Sequence, residues 1–120
     1  MTEMEKSAET SLLYDFYGRL LTEKQRQVMA LYHEENLTLS EIAGEFSISR
    51  QAVHDTLKKA EQSLREYENK LGLVEKFMVS TQALEEIEKE IDEIAAAASD
   101  AAILERLAKV KNIIVSLEEE

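Results

Sequence analysis

The side chains most suited to binding chemistry cluster in one stretch near the middle of the chain. The five candidate binding residues are Arg50, Gln51, His54, Lys58 and Lys59. Arginine can donate paired hydrogen bonds to guanine and glutamine can do so to adenine, while lysines suit phosphate groups. Positions 50–65 hold four bases and two acids, a balance of +2. This pattern predicts a surface for nucleic acid, with the first residues at base edges and the later ones at phosphates.

Acidic residues weaken that prediction. Asp55 and Glu61 would repel a phosphate backbone, and the chain carries 25 acids against 14 bases, a net charge of −11. Such a balance is unfavourable for a general nucleic-acid binder, because neutralising phosphates requires cations. Residues 1–70 hold 13 acids and 9 bases (−4), and residues 71–120 hold 12 acids and 5 bases (−7). Phosphate contact by the basic residues and a merely solvated basic face both stay open.

The sequence contains none of the arrangements typical of an enzyme. Cysteine is absent, which excludes disulfides and thiolate metal sites. His33 and His54 fall on different predicted helices without a set of neighbouring ligands, so a metal or general-base role is disfavoured. There is no phosphate-binding glycine loop and no paired nucleophile and base. We therefore expect a binding protein with no catalytic residue, no metal site and no cofactor.

The candidate residues fall on the second helix of a predicted helix-turn-helix. A short helix is expected from Leu39 to Phe46, and a long one from Arg50 to Leu71, whose apolar residues recur at intervals of four and three. Between them, Ser47 occupies the tight turn where glycine is usual, and Ser49 is suited to cap the second helix. One polar face of the second helix is then left for a partner.

Helices are expected along the rest of the chain as well, because proline is absent and only three glycines occur. Apolar spacing predicts one helix over residues 10–21, and a capping pair at Thr22 and Gln25 begins another that ends near His33. After Gly72, two further apolar-striped helices are predicted, from residue 73 to about residue 98 and from about residue 100 onward. They form an antiparallel acidic hairpin, so the chain is predicted to be all-α.

Two domains follow from this pattern. Residues 1–71 are predicted to form the helix-turn-helix domain, with its core at 38–71, and residues 72–120 the C-terminal helical hairpin. Two striped helices bury their apolar faces poorly by themselves, so the hairpin needs a further surface, either the tail of the fourth helix or the same hairpin of a second copy. We expect a homodimer through the hairpin. Its acids are explained by a solvated outer face, or alternatively by docking of a basic partner or mimicry of nucleic acid. We expect no membrane insertion and a cytoplasmic location.

Short motifs carry a resemblance to known families. Leu20–Val28, Leu39–Ala43 and Ser49–Val53 resemble region 4 of bacterial sigma factors, which reads promoter DNA with a helix-turn-helix. Over the longer span from Leu12 to Leu71, the chain is similar to the YlxM family of Gram-positive bacteria, which shares these motifs and the run from Glu66 to Leu71. The resemblance implies a sigma region 4-like helix-turn-helix that serves as a regulatory DNA-binding protein associated with the signal recognition particle pathway.

Two functions stay open at this point. In the first, the helix-turn-helix binds DNA or the RNA of the signal recognition particle. In the second, the protein is an interaction adaptor that docks on a protein of that particle and keeps the helix-turn-helix only as a scaffold. The overall acidity favours the second function, whereas the basic stretch from Arg50 to Arg65 favours the first.

Overall fold

Helix formation dominates the chain, which is rich in leucine, alanine, glutamate and lysine. The computed structural model describes residues 2–119. Its helices are α1 (Glu3–Tyr17), α2 (Glu23–His33), α3 (Leu39–Phe46), α4 (Arg50–Leu71), α5 (Leu73–Ala97) and α6 (Ala101–Glu118), with a 3-10 turn at Gly18–Leu20. No strand occurs within residues 2–119, and the predicted all-α class is confirmed.

Three helices begin with a threonine that exchanges two hydrogen bonds with the residue three positions later. The pairs are Thr2 with Glu5, Thr22 with Gln25, and Thr38 with Glu41. In each, the threonine hydroxyl accepts from one backbone N–H and the later side chain accepts from the other, so two N–H groups at the helix end are satisfied. The expectation that the first helix begins near residue 10 was wrong, because the pair at Thr2 starts α1 at Glu3.

The turn between α3 and α4 has the tight backbone geometry that the motif requires. Ser47 adopts the left-handed conformation, with φ of 54° and ψ of 45°, and the N–H of Ile48 donates to the carbonyl of Ala43 at 3.1 Å. The hydroxyl of Ser49 then accepts from the N–H of Ala52 at 3.0 Å and begins α4. These contacts confirm the predicted helix-turn-helix.

Helix α4 is the central element of the first compact unit, which extends to Val74. Helices α1, α2 and α3 all pack against it. Its inward side chains are Val53, Leu57, Ala60 and Leu64, and the rest of the core comprises Leu13, Tyr17, Leu21, Val28, Met29, Ile42, Ala43 and Val74. Because α4 supplies the core from one side only, its opposite side is free to face a partner.

A buried tyrosine connects α1 to the junction of α4 and α5. Tyr17 is only 1% exposed, and its hydroxyl donates to the carboxylate of Glu68 while accepting from the N–H of Leu73 at 3.1 Å. The same carboxylate accepts from the N–H of Val74 at 3.0 Å. Burial, and then the hydrogen bond to Glu68, raise the pKa of Tyr17, so the phenol stays protonated and keeps its role as donor. Two N–H groups at the start of α5 are satisfied in this way.

The second unit, from Glu75 onward, is an antiparallel hairpin of α5 and α6. Lys111 donates to Asp92 at 2.8 Å, and burial followed by repulsion from Glu88 and Glu85 raises the pKa of Glu118. Residues later in α6 therefore meet residues earlier in α5, which confirms the predicted antiparallel acidic hairpin. Among residues 75–119, Ile91 and Ile114 are the buried ones. Within the described residues, no helix has both the length and the apolar character needed to cross a membrane.

Two glycines give opposite stability predictions. Gly44 lies inside α3, and a methyl group added there would meet no atom within 4 Å, whereas Gly72 ends α4 with φ of 62°. We expect Gly44→Ala to raise the free energy of unfolding by about 0.5–1 kcal/mol, because alanine loses less conformational entropy in a helix. Gly72→Ala should lower it, because a side chain strains the left-handed backbone. Urea unfolding of the full chain measures both, and a destabilised Gly44→Ala protein would contradict the prediction.

Candidate nucleic-acid interface

The outward face of α4 carries the predicted binding residues. Since Val53, Leu57 and Leu64 point into the core, side chains on the other side of the helix are directed to solvent. All five candidates are exposed: Arg50, Gln51, His54, Lys58 and Lys59. The start of α4 is fixed by the Ser49 cap, and its body is held by the three helices packed against it. The face therefore belongs to a rigid element rather than to a loop.

The structure brings four of the five candidates together and places one apart. Gln51, His54, Lys58 and Lys59 follow one another over the first three turns of the exposed face. Arg50 instead lines a groove beside the connection between α2 and α3, next to Asn36, Leu37 and Thr38. A partner lying along α4 would meet the first group directly, and Arg50 only if it also reached this groove.

Two residues absent from the predicted set belong to the same surface. Gln62 and Arg65 line a shallow concavity of the exposed face together with Asp55, Lys58 and Lys59. Arg65 lies seven residues after Lys58, which is two helical turns, so both cations point the same way. That spacing was available in the sequence, and continuing the helical pattern past Lys59 would have identified Arg65.

The carboxylate of Asp55 accepts a hydrogen bond from one of the polar side chains of this face. The side-chain N–H of Gln51 donates to a carboxylate oxygen of Asp55 at 3.0 Å. The same oxygen lies 3.8 Å from Nδ1 of His54. Asp55 is one turn beyond Gln51, where neighbouring side chains on a helix meet. The amide that would read a base edge is thus engaged within the protein, and a nucleic acid would have to displace the carboxylate.

The second acid counted against nucleic-acid binding is turned away from this face. Glu61 lies on the flank of α4 that packs toward α2, and its carboxylate is 3.8 Å from Nε2 of His33. The side chains of Glu61 and His33 are 28% and 10% exposed. Glu61 is directed at the imidazole and also lines a groove with Arg65. On the outward face, Asp55 lies beside Lys58 and Lys59, and Glu66 accepts a hydrogen bond from Gln62 at 3.3 Å. Lys58, Lys59 and Arg65 therefore face two acids, Asp55 and Glu66, a balance of +1 on the exposed side of α4.

The histidines do not build a metal site in the part of the chain that the structure describes. No group of three or more histidine, aspartate or glutamate side chains there has the geometry to hold a metal ion. The interface carries amide, imidazole and cationic groups on one helix, together with the carboxylates of Asp55 and Glu66. The first three kinds of group suit reversible hydrogen bonding and ion pairing with a polyanion.

Comparison with known proteins identifies relatives over most of the chain. Residues 4–102 match the family described as "Putative helix-turn-helix protein, YlxM / p13 like". A UPF0122 protein of Desulforamulus reducens is 51% identical over 84 residues, which cover 70% of this chain and 72% of the relative. UPF0122 proteins of Halalkalibacterium halodurans and Shouchella clausii are 43% and 41% identical over 104 and 107 residues, and the matches cover 87% and 89% of this chain and 95% and 98% of the relatives.

Proposed function

Because this chain belongs to the YlxM / p13-like family of helix-turn-helix proteins, we propose that it is a regulatory protein that binds nucleic acid through the exposed face of α4. The observation that carries the proposal is the group of Lys58, Lys59 and Arg65 on the exposed side of α4, where Asp55 and Glu66 are the opposing acids and Glu61 is directed at His33. A rigid basic helix face beside a helix-turn-helix turn suits the major groove of duplex DNA.

Each side chain has a distinct role in this proposal. Gln51 and His54, near the start of α4, face the base edges, where an amide pairs best with adenine. Lys58, Lys59 and Arg65 ion-pair with phosphates and position the helix without reading sequence. The net charge of −11 makes the association weak at physiological salt, since only a few counterions are released.

The second candidate function is an adaptor of the signal recognition particle. The acidic α5 favours it, because seven acids and two bases on one helix suit a basic protein partner better than a polyanion. The pairing of Gln51 with Asp55 also favours it, because it leaves the base-reading amide engaged. In this function the helix-turn-helix is a scaffold, and binding depends on the hairpin.

A fluorescence-anisotropy titration at low salt separates the two functions. The ligands are random genomic duplex, the RNA of the signal recognition particle, and the GTPase protein of that particle, each tested also with the Arg50→Ala/Lys58→Ala protein. Binding to duplex or RNA that falls with salt and weakens in the variant supports nucleic-acid binding. Binding to the GTPase alone, unchanged in the variant, would replace the first function by the second.

Removing the charge of Asp55 is expected to raise the affinity for nucleic acid, whereas removing a basic side chain of this face is expected to lower it. Asp55→Asn should raise the affinity for nucleic acid by about three- to tenfold at 0.1 M salt, because it removes one repulsive charge beside Lys58 and Lys59. The substitution also weakens the hydrogen bond that Gln51 donates to this side chain. The control is Asp15→Asn, which removes one charge from an exposed position of α1. Equal affinity changes in the two variants would show that Asp55 acts only through net charge.

A further inference from the structure

The hairpin of α5 and α6 has one acidic side and one apolar side. The two helices meet at Ile91 and Ile114, which are buried, and the Asp92–Lys111 ion pair marks one side of that seam. On a helix of 3.6 residues per turn, Asp92 lies about 100° from Ile91 in one direction, and Ile94 lies about 60° in the other. The remaining acids on the side of the ion pair are Glu85, Glu88 and Glu118.

The opposite side is a continuous apolar surface, which we call the hairpin face. Its members are Ile87 and Ile94 on α5 and Ile103, Val110 and Leu117 on α6, spaced at seven residues within each helix. Each is between 43% and 53% exposed. A seven-residue spacing keeps side chains on one side of a helix over two turns, which is the pattern of helices that pack on other helices.

Charges at the two edges of the hairpin face are of opposite sign. On α5 the face is bordered by Glu86 and Glu90, and on α6 it is bordered by Arg106 and Lys109, all of them exposed. Helix α5 as a whole holds seven acids and two bases, whereas α6 holds two acids and three bases. A partner surface that complements this face must be apolar at its centre, basic along one edge and acidic along the other. The same face of a second copy meets that description.

We propose that the hairpin face packs against the same face of a second copy, with α5 of one protomer against α6 of its partner. A two-fold axis parallel to the helices produces this pairing and keeps each residue at its own height, so Glu90 lies about 6 Å along the axis from Lys109 of the other protomer. A two-fold axis perpendicular to the helices would place α5 against α5, where like charges face each other. The product is a four-helix bundle that covers the five apolar side chains.

The size of the face sets the expected strength of the dimer. From Ile103 to Leu117 the helix rises about 21 Å, and two helices side by side are about 20 Å wide. The footprint is therefore about 400 Å² per protomer, smaller than the roughly 800 Å² of a standard interface. We expect a reversible dimer with a dissociation constant in the micromolar range. The proposal is independent of nucleic-acid binding, since its residues lie outside α4.

Sedimentation equilibrium of the full chain, from about 1 µM to 200 µM, tests the proposal. We expect a monomer–dimer equilibrium that Val110→Glu weakens at least tenfold. Leu104→Glu is the matched control, because Leu104 is also partly exposed on α6 but lies on the side of the ion pair. A chain that is monomeric at all these concentrations, or equal weakening by the two variants, would overturn the proposal.

Charge reversal tests the pairing of helices without altering the apolar residues. Lys109→Glu should weaken the dimer several-fold, and adding Glu90→Lys in the same chain should restore it. Restoration requires α5 of one copy to face α6 of the other. Circular dichroism confirms that each variant keeps its helices. An unchanged dimer in the first variant, or no restoration in the combined one, would reject this pairing.

Discussion

Replacing Lys58 and Lys59 together with alanine is expected to lower the affinity for duplex DNA by about 10- to 100-fold at 0.1 M salt. Each phosphate contact releases close to one counterion from the DNA. The loss of two contacts therefore reduces the slope of log affinity against log salt by about two. Both lysines are exposed on α4 and share a concavity with Arg65. Anisotropy titrations at four or five salt concentrations give the affinity and the slope together.

The control variant removes the same number of positive charges from a different helix. Lys76→Ala/Lys89→Ala removes two exposed lysines from α5 and leaves α4 intact. If binding depends on the α4 face, this variant keeps the salt slope of the unmodified chain and loses little affinity. Equal losses in the two variants would show that nucleic acid responds only to net charge, and the α4 face would no longer be the interface.

Leu64→Ala is expected to lower the free energy of unfolding of the first unit by about 2–5 kcal/mol, through lost burial and the cavity left behind. Leu64 is fully buried on α4, within the core formed by α1, α2 and α3. A unit of this size is stable by only about 4–11 kcal/mol, so the variant should be close to unfolding at physiological temperature. Urea unfolding followed by circular dichroism measures the loss.

The matched control is Leu71→Ala on the same helix. Leu71 is 55% exposed at the end of α4, so its truncation should change the free energy of unfolding by less than about 1 kcal/mol. Comparable losses in the two variants would contradict the assignment of the core to the side of α4 that carries Leu64. Leu64→Ala should also weaken nucleic-acid binding as the fraction of unfolded protein rises with temperature, whereas Leu71→Ala should preserve it.

Much of the fold could be predicted because its signals are local. The Thr38 pair, Ser49 and Gly72 satisfy or end helices through contacts within a few residues, and each lies where the sequence indicated. The early start of α1 was missed although its signal is of the same kind. Thr2 and Glu5 form a capping pair, but the residues that follow lack a strong apolar stripe, which led the prediction to the later apolar residues.

The details of the candidate interface could not be predicted in the same way. That Glu61 is directed at His33 depends on how α2 packs against α4, over 28 positions of the chain. The role of Asp55 depends on side-chain rotamers, which a sequence pattern does not fix. Sequence reasoning therefore placed four of the candidate residues on one exposed side of α4, but it gave equal weight to two acids that the structure places in different surroundings.

The hydroxyl of Tyr17 has a consequence for how the molecule can be divided. It accepts from Leu73 and donates to Glu68, which in turn accepts from Val74, so residues beyond the end of α4 complete the packing of α1. A fragment cut at Leu71 would lose both N–H donors and leave a buried phenol and carboxylate short of partners. The segment needed to complete this packing is therefore longer than the helix-turn-helix motif, which ends at Leu71. Any graft of this helix-turn-helix onto another protein should carry the chain through Val74.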